Sequence, residues 1–319
     1  MCKKIVSIVI PAYNEEQMIK RTATVVSKIL DENSMEYEII FVNDGSKDST
    51  WIEIEKAYEI CDKIKGINFS RNFGKEAAIF AGLEYATGDC VVCIDCDLQH
   101  PPEKIVEMYH LWKQGFEVVE GIKVDRGKES FIHKGFANLF YKIISSATEI
   151  DMSKASDFKL MDRKVVDTLL KMPEKNVFFR ALSSWVGFKS ISVEFEVQER
   201  EAGESKWSFK SLASYAIKNI TIFTAAPMQI ITIFGIIFGI FAFILGAHSL
   251  YSYICGQAQE GFTTVILLLL IIGCILMSGL GIIGYYISKI YEEVKGRPRY
   301  IVSSVIGKEH HNEKNDRKE

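Results

Sequence analysis

From residue 4 to about residue 122, short apolar runs alternate with longer segments whose apolar positions recur at helical spacing. The runs 4–10, 38–42, 66–69, 90–94 and 117–120 are rich in Ile, Val and Phe, are bounded by Asn, Asp, Gly, Ser or Pro, and read as buried strands. The stretches after Asn14, Ser49, Phe73 and Pro102 read as helices. Strand and helix in alternation predict an α/β fold with a doubly wound, mostly parallel sheet, in which ligands bind beyond the C-terminal strand ends.

The pattern changes in the last third. Residues 228–253 hold one ionisable side chain, His248, and residues 263–287 hold none. About 25 residues at a helical rise of 1.5 Å reach ~37 Å, enough to cross a bilayer core, and Tyr251, Tyr253, Tyr285 and Tyr286 fall where interfacial aromatics belong. The loop 254–262 has no Lys or Arg, whereas Lys206, Lys210 and Lys218 precede the pair and Lys289, Lys295, Arg297 and Arg299 follow it. The positive-inside rule then predicts a two-helix hairpin in the plasma membrane with the large N-terminal part and both termini in the cytoplasm. The apolar run at 5–10 stops at Pro11, too short for the core of a signal peptide. Before the first span, Phe209, Leu212, Ala216, Ile217, Ile220 and Phe223 recur at helical spacing beside Lys210 and Lys218, the signature of a helix lying at the membrane surface or of an ordinary core helix. The division expected is 1–205 for the cytoplasmic domain, 206–227 for the interfacial helix, 228–290 for the hairpin, and 291–319 for a basic segment with a disordered tail.

Composition narrows the class. A chain of 319 residues that is 48% hydrophobic and 25% charged is long enough for about two domains and is neither disordered nor disulfide-dense. A net charge of -3 argues against a nucleic-acid partner. Seven cysteines, mostly in apolar runs, fit reduced thiols. Cys90, Cys93, Cys96 and His100 mimic an iron–sulfur spacing, but on a strand Cys90 and Cys96 point to one face and Cys93 to the other, so they read as small buried hydrophobes.

Candidate chemistry gathers at the strand ends: PAYNE at 11–15, NDGS at 43–46, SRNFGK at 70–75 and DCDLQ at 95–99. Asp95 and Asp97, with Gln99 beside them, offer hard oxygens suited to Mg²⁺ or Mn²⁺, a cation that usually completes its shell with substrate phosphates.

Taken with SDFKL at 156–160 and GESKW at 203–207, these motifs resemble the inverting glycosyltransferases of family 2, whose fold is the nucleotide-sugar-binding A type. More narrowly they are similar to the polyprenyl-phosphate glycosyltransferases, the group of dolichyl-phosphate mannose synthase and the bactoprenol glucosyltransferases. The likeness runs from about residue 5 to 299. It implies that Pro11, Tyr13, Glu15, Asp44 and Lys75 hold a nucleotide-sugar, that Asp95 and Asp97 serve metal and diphosphate with Gln99 nearby, and that Asp157 is the catalytic carboxylate. Arg200, Ser205 and Lys206 match a loop closing over the phosphates. Lys123 and Arg126 match acceptor-phosphate positions, with Lys123 standing where Arg is common and replacing a planar fork by a point charge. Arg126, Lys128, His133, Lys134, Phe136, Phe140 and Tyr141 suit an amphipathic helix where a lipid tail leaves the bilayer.

The expected activity is therefore transfer of a sugar, glucose by family frequency, from a UDP-sugar to polyprenyl (undecaprenyl) phosphate at the cytoplasmic face, for use in the cell envelope. UDP-GlcNAc, another UDP-sugar and GDP-mannose are the alternative donors. A processive polysaccharide synthase would need more spans and a Gln-x-x-Arg-Trp motif, where this chain has QERE at 198–201; a non-catalytic nucleotide-binding scaffold would not need Asp95, Asp97, Asp157 and Lys206 together. The partners are the donor, the lipid phosphate and the bilayer. Glycine-rich faces at Gly235, Gly239 and Gly246 and at Gly273, Gly279, Gly281 and Gly284 suit close helix packing and a homo-oligomer.

Overall fold

A computed structural model describes residues 4–124, 156–174, 179–196, 226–255 and 261–307. The chain divides into two compact units, one of residues 1–208 with 298–319 and one of residues 209–297.

The first unit is built on eight strands: β1 Ile5–Ala12, β2 Glu36–Asn43, β3 Ile64–Phe69, β4 Cys90–Cys93, β5 Val118–Lys123, β6 Lys159–Asp162, β7 Ser190–Phe195 and β8 Val302–Ile306. Their order across the sheet is β7-β5-β6-β4-β1-β2-β3-β8. β1 to β4 run parallel, as do β5 and β7, while β6 is antiparallel to β4 and β5, and β8 to β3. Successive strand residues feed opposite faces, as the pleat requires. Ile39 and Phe41 join one core layer, and Ile40 and Val42 the other.

Helices cover both faces, which is why the central strands read as unbroken apolar runs. On one side lie α1 (Ile19–Glu32), α2 (Thr50–Ile60) and α4 (Lys104–Lys113), with Ile19, Ala23, Val26 and Leu30 of α1 buried at helical spacing. On the other lie α3 (Lys75–Tyr85), α5 (Arg163–Lys171) and α6 (Phe179–Trp185). α3 sits so close to the sheet that a Cβ on Gly82 would meet Val9 Cγ1 at 2.2 Å.

The five strands expected from the sequence are present, and three more join them. β6 and β7 lie where no strand is expected from the sequence, and β8 lies in the basic segment ahead of the tail expected to be disordered. The reversal of β6 matters most for the site. Its register pairs Cys93 with Lys159, so the residues entering β6 lie beside those leaving β4.

The second unit holds α7 (Ala226–Ile254) and α8 (Phe262–Val294). Phe243 and Ile244 on α7 and Leu276 and Met277 on α8 are exposed. Among the described residues one stretch, Ile271–Val294, is long and apolar enough to cross a membrane, and Ile233–His248 is a shorter apolar stretch. The proposed interfacial helix before residue 226, the amphipathic segment at 126–141 and the tail from 308 lie outside the described residues.

Candidate active site

The loops leaving β1 and β2 are laced together by short polar side chains. Asn14, in the left-handed region at φ 55°, donates its N–H to Ser46 Oγ at 2.9 Å, and its own Oδ1 accepts from the Lys47 N–H at 2.9 Å. The Glu15 N–H donates to Thr50 Oγ1 at 2.9 Å, and Asn43 Oδ1 accepts from Ser46 Oγ at 2.5 Å. Backbone donors that would otherwise be orphaned in a polar turn are thereby paired. Tyr13 stands on this wall 39% exposed, with Pro11 and Glu15 half-buried beside it.

Asp44 faces inward. Its carboxylate accepts from the Phe73 N–H at 2.6 Å and the Gly74 N–H at 3.0 Å, fastening the loop 70–74 onto the end of β2. Burial raises its pKa, and those two donors offset only part of the effect. Gly45 has φ +62°, and a Cβ there would meet the Arg71 carbonyl carbon at 2.3 Å, so this turn requires glycine.

At the centre of the sheet, Lys75, the first residue of α3, reaches two carboxylates. Its Nζ lies 2.6 Å from Asp95 Oδ1 and 2.8 Å from Asp157 Oδ2. Arg180 of α6 grips Asp157 with its fork, Nε to Oδ1 at 2.7 Å and Nη2 to Oδ2 at 2.7 Å. Burial by itself would raise the pKa of Asp157; the Lys75 and Arg180 charges and hydrogen bonds overcome it and hold the group well below the usual carboxylate range. Asp95 is likewise held low, burial being outweighed by Lys75 and then His100. Glu76 goes the other way: burial and then the charge of Asp157 push it up to about 7, and it accepts from the Phe179 N–H at 2.9 Å.

Asp97 and Gln99 follow Asp95 in a tight turn, with Leu98 at φ 55° and the Gln99 N–H bonded to Asp97 Oδ1 at 3.1 Å. His100 lies under this turn, stacked on Phe158 at 5.1 Å and edge-on to Phe195 at 5.4 Å. Its Nδ1 is buried without a hydrogen-bond partner, 3.9 Å from Asp95 Oδ2, and burial pushes its pKa down. Among the described residues no three His, Cys, Asp or Glu side chains are grouped to hold a metal by themselves. Two carboxylates and an amide within five residues, with positive charge already drawn to Asp95, nevertheless fit a hard cation that takes its remaining ligands from phosphates.

Lys123 closes β5 opposite Phe195, at the end of the sheet where Asp95 and Asp157 stand. The structure thus brings together Lys75, Asp95, Asp97, Gln99 and Asp157 and sets Pro11, Tyr13, Glu15 and Asp44 on the neighbouring strand ends. Arg126, Arg200, Ser205 and Lys206 lie outside the described residues. Cys90 and Cys96 sit in one core layer and Cys93 in the other, with burial raising all three thiols, which closes the iron–sulfur reading.

Sequence reasoning missed Arg180, Glu76 and a buried support behind them. Lys159, fully buried, bonds Glu120 Oε1 at 2.8 Å and Ser183 Oγ at 2.5 Å, anchoring the helix that carries Arg180. A lysine set between Phe158 and Leu160 in a strand was the available signal, since a buried ammonium needs a partner. Arg180 follows no motif.

Comparison with known proteins shows the family. The model for Glycosyl transferase family 2 matches residues 7–170. The glycosyltransferase YkcC of Bacillus subtilis is 42% identical over 304 residues, covering 94% of each chain. The prophage bactoprenol glucosyl transferase homolog of Escherichia coli is 38% identical over 94% of this chain and 99% of its own, and the bactoprenol glucosyl transferase of Shigella phage SfX is 36% identical over the same shares. Among solved structures, glucosyl-3-phosphoglycerate synthase from Mycobacterium tuberculosis, in complex with Mn²⁺ and UDP-glucose, is 19% identical with a TM-score of 0.46, covering 67% of this chain and 76% of that one.

Proposed function

Because the chain belongs to glycosyl transferase family 2 and is a polyprenyl-phosphate glycosyltransferase, we propose that it moves glucose from UDP-glucose to undecaprenyl phosphate, with inversion, at the cytoplasmic membrane face. The observation that carries this reading is the run of opposed charges Asp95, Lys75, Asp157 and Arg180 at the sheet's ligand-binding end.

The nucleoside lies against the wall made by Pro11, Tyr13, Glu15 and the turn fastened by Asp44. The diphosphate then falls at Asp95 and Asp97, where Lys75 supplies a cation of the chain's own. Asp95, Asp97 and Gln99 would hold Mg²⁺ or Mn²⁺. Such a cation, when bound, stabilises the charge that gathers on the departing diphosphate.

An oxygen of the acceptor phosphate forms the new bond to the anomeric carbon while the bond to UDP breaks and its electron pair leaves with the β-phosphate. The acceptor is a phosphomonoester with a second pKa near ~6, largely dianionic at neutral pH, so it attacks without a strong base. Asp157, held ionised by two cations, is too weak a base to take a proton in any case. Its role is to fix Lys75 and Arg180, and through them the phosphates that meet between donor and acceptor. Lys123 and Arg126 receive the acceptor phosphate, and Arg200, Ser205 and Lys206 serve the diphosphate.

Two membrane crossings, by α7 and α8, fit this chemistry. What supports an even number is β8, which follows both helices in the chain yet hydrogen-bonds to β3. A single crossing would leave β8 and β3 on opposite sides of the bilayer.

The test is a donor panel. Purified full-length protein is given labelled UDP-glucose, UDP-GlcNAc and GDP-mannose with undecaprenyl phosphate, in Mg²⁺, Mn²⁺ or EDTA. Label from UDP-glucose entering the organic phase, lost with EDTA and in Asp97→Ala, is the expected result. Nucleotide binding with no transfer from any donor would overturn it.

A further inference from the structure

β8 does more than blunt an exposed sheet edge. The residues that lead into it, Arg299, Tyr300 and Ile301, grip the start of the loop 70–74 and the helix that follows the loop. At the loop's start, the Ser70 N–H donates to the Ile301 carbonyl at 3.0 Å, just past the point where the β3–β8 register shifts between Asn68 and Phe69. The Tyr300 ring stacks on Phe69 with centroids 5.0 Å apart and 12° between planes, and Phe69 meets the edge of Phe73 at 5.7 Å and 89°. Beyond the loop, the Tyr300 hydroxyl is hydrogen-bonded to Glu84 near the C-terminal end of α3, and the Arg299 guanidinium lies 4.5 Å over the ring of Phe80 in the middle of that helix. Arg299 also donates to the carbonyls of Met172 and Glu174.

The loop so gripped contains no regular structure and is the one that Asp44 fastens through the Phe73 and Gly74 N–H groups. It leads directly into Lys75, whose ammonium bridges Asp95 and Asp157. A displacement of Phe73 therefore reaches the turn at 44–45 on one side and Lys75 on the other. The backbone of Arg71 already fills the space beside Gly45, so the two loops are packed backbone against backbone.

We propose that Tyr300 is a positioning residue for the nucleotide: its stack on Phe69, and through it the edge contact with Phe73, holds the loop 70–74 in the shape that binds the nucleoside diphosphate of the donor. The proposal rests on the donor site given above. Tyr300 touches no substrate and acts through Phe69 and Phe73. A pre-shaped loop spares the nucleotide the ordering of five residues on binding.

The experiment uses the full-length protein in detergent, with Tyr300→Ala, Tyr300→Phe and Tyr300→Leu. Affinity for UDP is measured by calorimetry, and amide hydrogen exchange is followed in the segment 70–75 without ligand. In Tyr300→Ala the UDP Kd and donor KM are expected to rise about tenfold, with kcat and acceptor KM changed less than about threefold, and the 70–75 amides to exchange at least about tenfold faster. Tyr300→Phe, which keeps the stack, is expected to stay within about threefold of the parent in Kd. A lower Tm with unchanged Kd and unchanged exchange would mean a merely structural role and overturn the proposal. Should Tyr300→Ala not fold, Tyr300→Leu, which keeps bulk and loses the stack, with unaltered exchange and Kd overturns it equally. Parent protein that binds neither UDP nor GDP removes the donor reading, and this proposal with it; binding that the variants leave unaltered removes this proposal alone.

Discussion

Arg180 holds Asp157 through two parallel hydrogen bonds of 2.7 Å, a fork-to-carboxylate pair joining α6 to the residues that enter β6. The pair fixes the carboxylate's orientation as well as its charge, because a guanidinium presents its donors in one plane. Replacing Arg180 by Ala leaves Lys75 as the partner of a nearly buried carboxylate. The expected outcome is a loss of about 2 kcal/mol in stability and a kcat reduced by about 10–100-fold, with Arg180→Lys recovering stability better than rate. Thermal unfolding and steady-state transfer rates check it.

The pH profile separates positioning from base catalysis. With Asp157 held below the usual carboxylate range, its charge does not change between pH 5 and 9. Activity is therefore expected to rise with pH through the acceptor's second pKa near ~6 and then level off. Asp157→Asn is expected to lower kcat by about 100-fold while leaving the midpoint of the profile in place. Disappearance of the acidic limb in that variant would mean that Asp157 is the titrating group.

Glu76 carries a stability signature of the opposite sign. Its folded pKa is raised to about 7, so between its ordinary value and 7 the folded protein binds more protons than the unfolded chain, and stability falls as pH rises through that window. Glu76→Gln keeps an acceptor for the Phe179 N–H and removes the charge that repels Asp157. Its Tm is expected to exceed the parent's by about 3 °C at pH 8 and to match it at pH 4.5. Scanning calorimetry at the two pH values decides this.

Lys159 and Glu120 form a pair that is buried on the lysine side. Lys159→Met leaves the largely buried Glu120 carboxylate without its ammonium partner and is expected to cost about 3 kcal/mol, part of which Glu120→Leu in the same chain restores. Because Ser183 loses the Lys159 ammonium that ties α6 to β6 and keeps its bond within the helix to the Arg180 carbonyl, the single variant is also expected to slow transfer by loosening α6.

What the sequence makes legible follows from which interactions are local. Strand runs, helical periodicity and the polar ends at 11–15, 43–46, 70–75 and 95–99 are set by neighbouring residues, and the structure places them on one end of one sheet. Asp157 reaches Asp95 only because β6 runs backwards, and nothing in SDFKL fixes a strand's direction. Arg180 and Glu76 are drawn in by burial and charge across distant segments. β8 was hidden for a plainer reason: VSSVI at 302–306 is short and lacks apolar–polar alternation, so its strand character depends on pairing with β3. The sugar selected has no local code at all.

The central claim is tested most directly by the lipid product itself. Full-length protein is incubated with UDP-glucose, undecaprenyl phosphate and Mg²⁺, and the extracted lipid is examined by ¹H and ³¹P NMR. The account requires one glucosyl phosphodiester of β configuration, inverted from the α-linked donor. An α-linked product, or glucose released into water with the lipid phosphate unmodified, would contradict it.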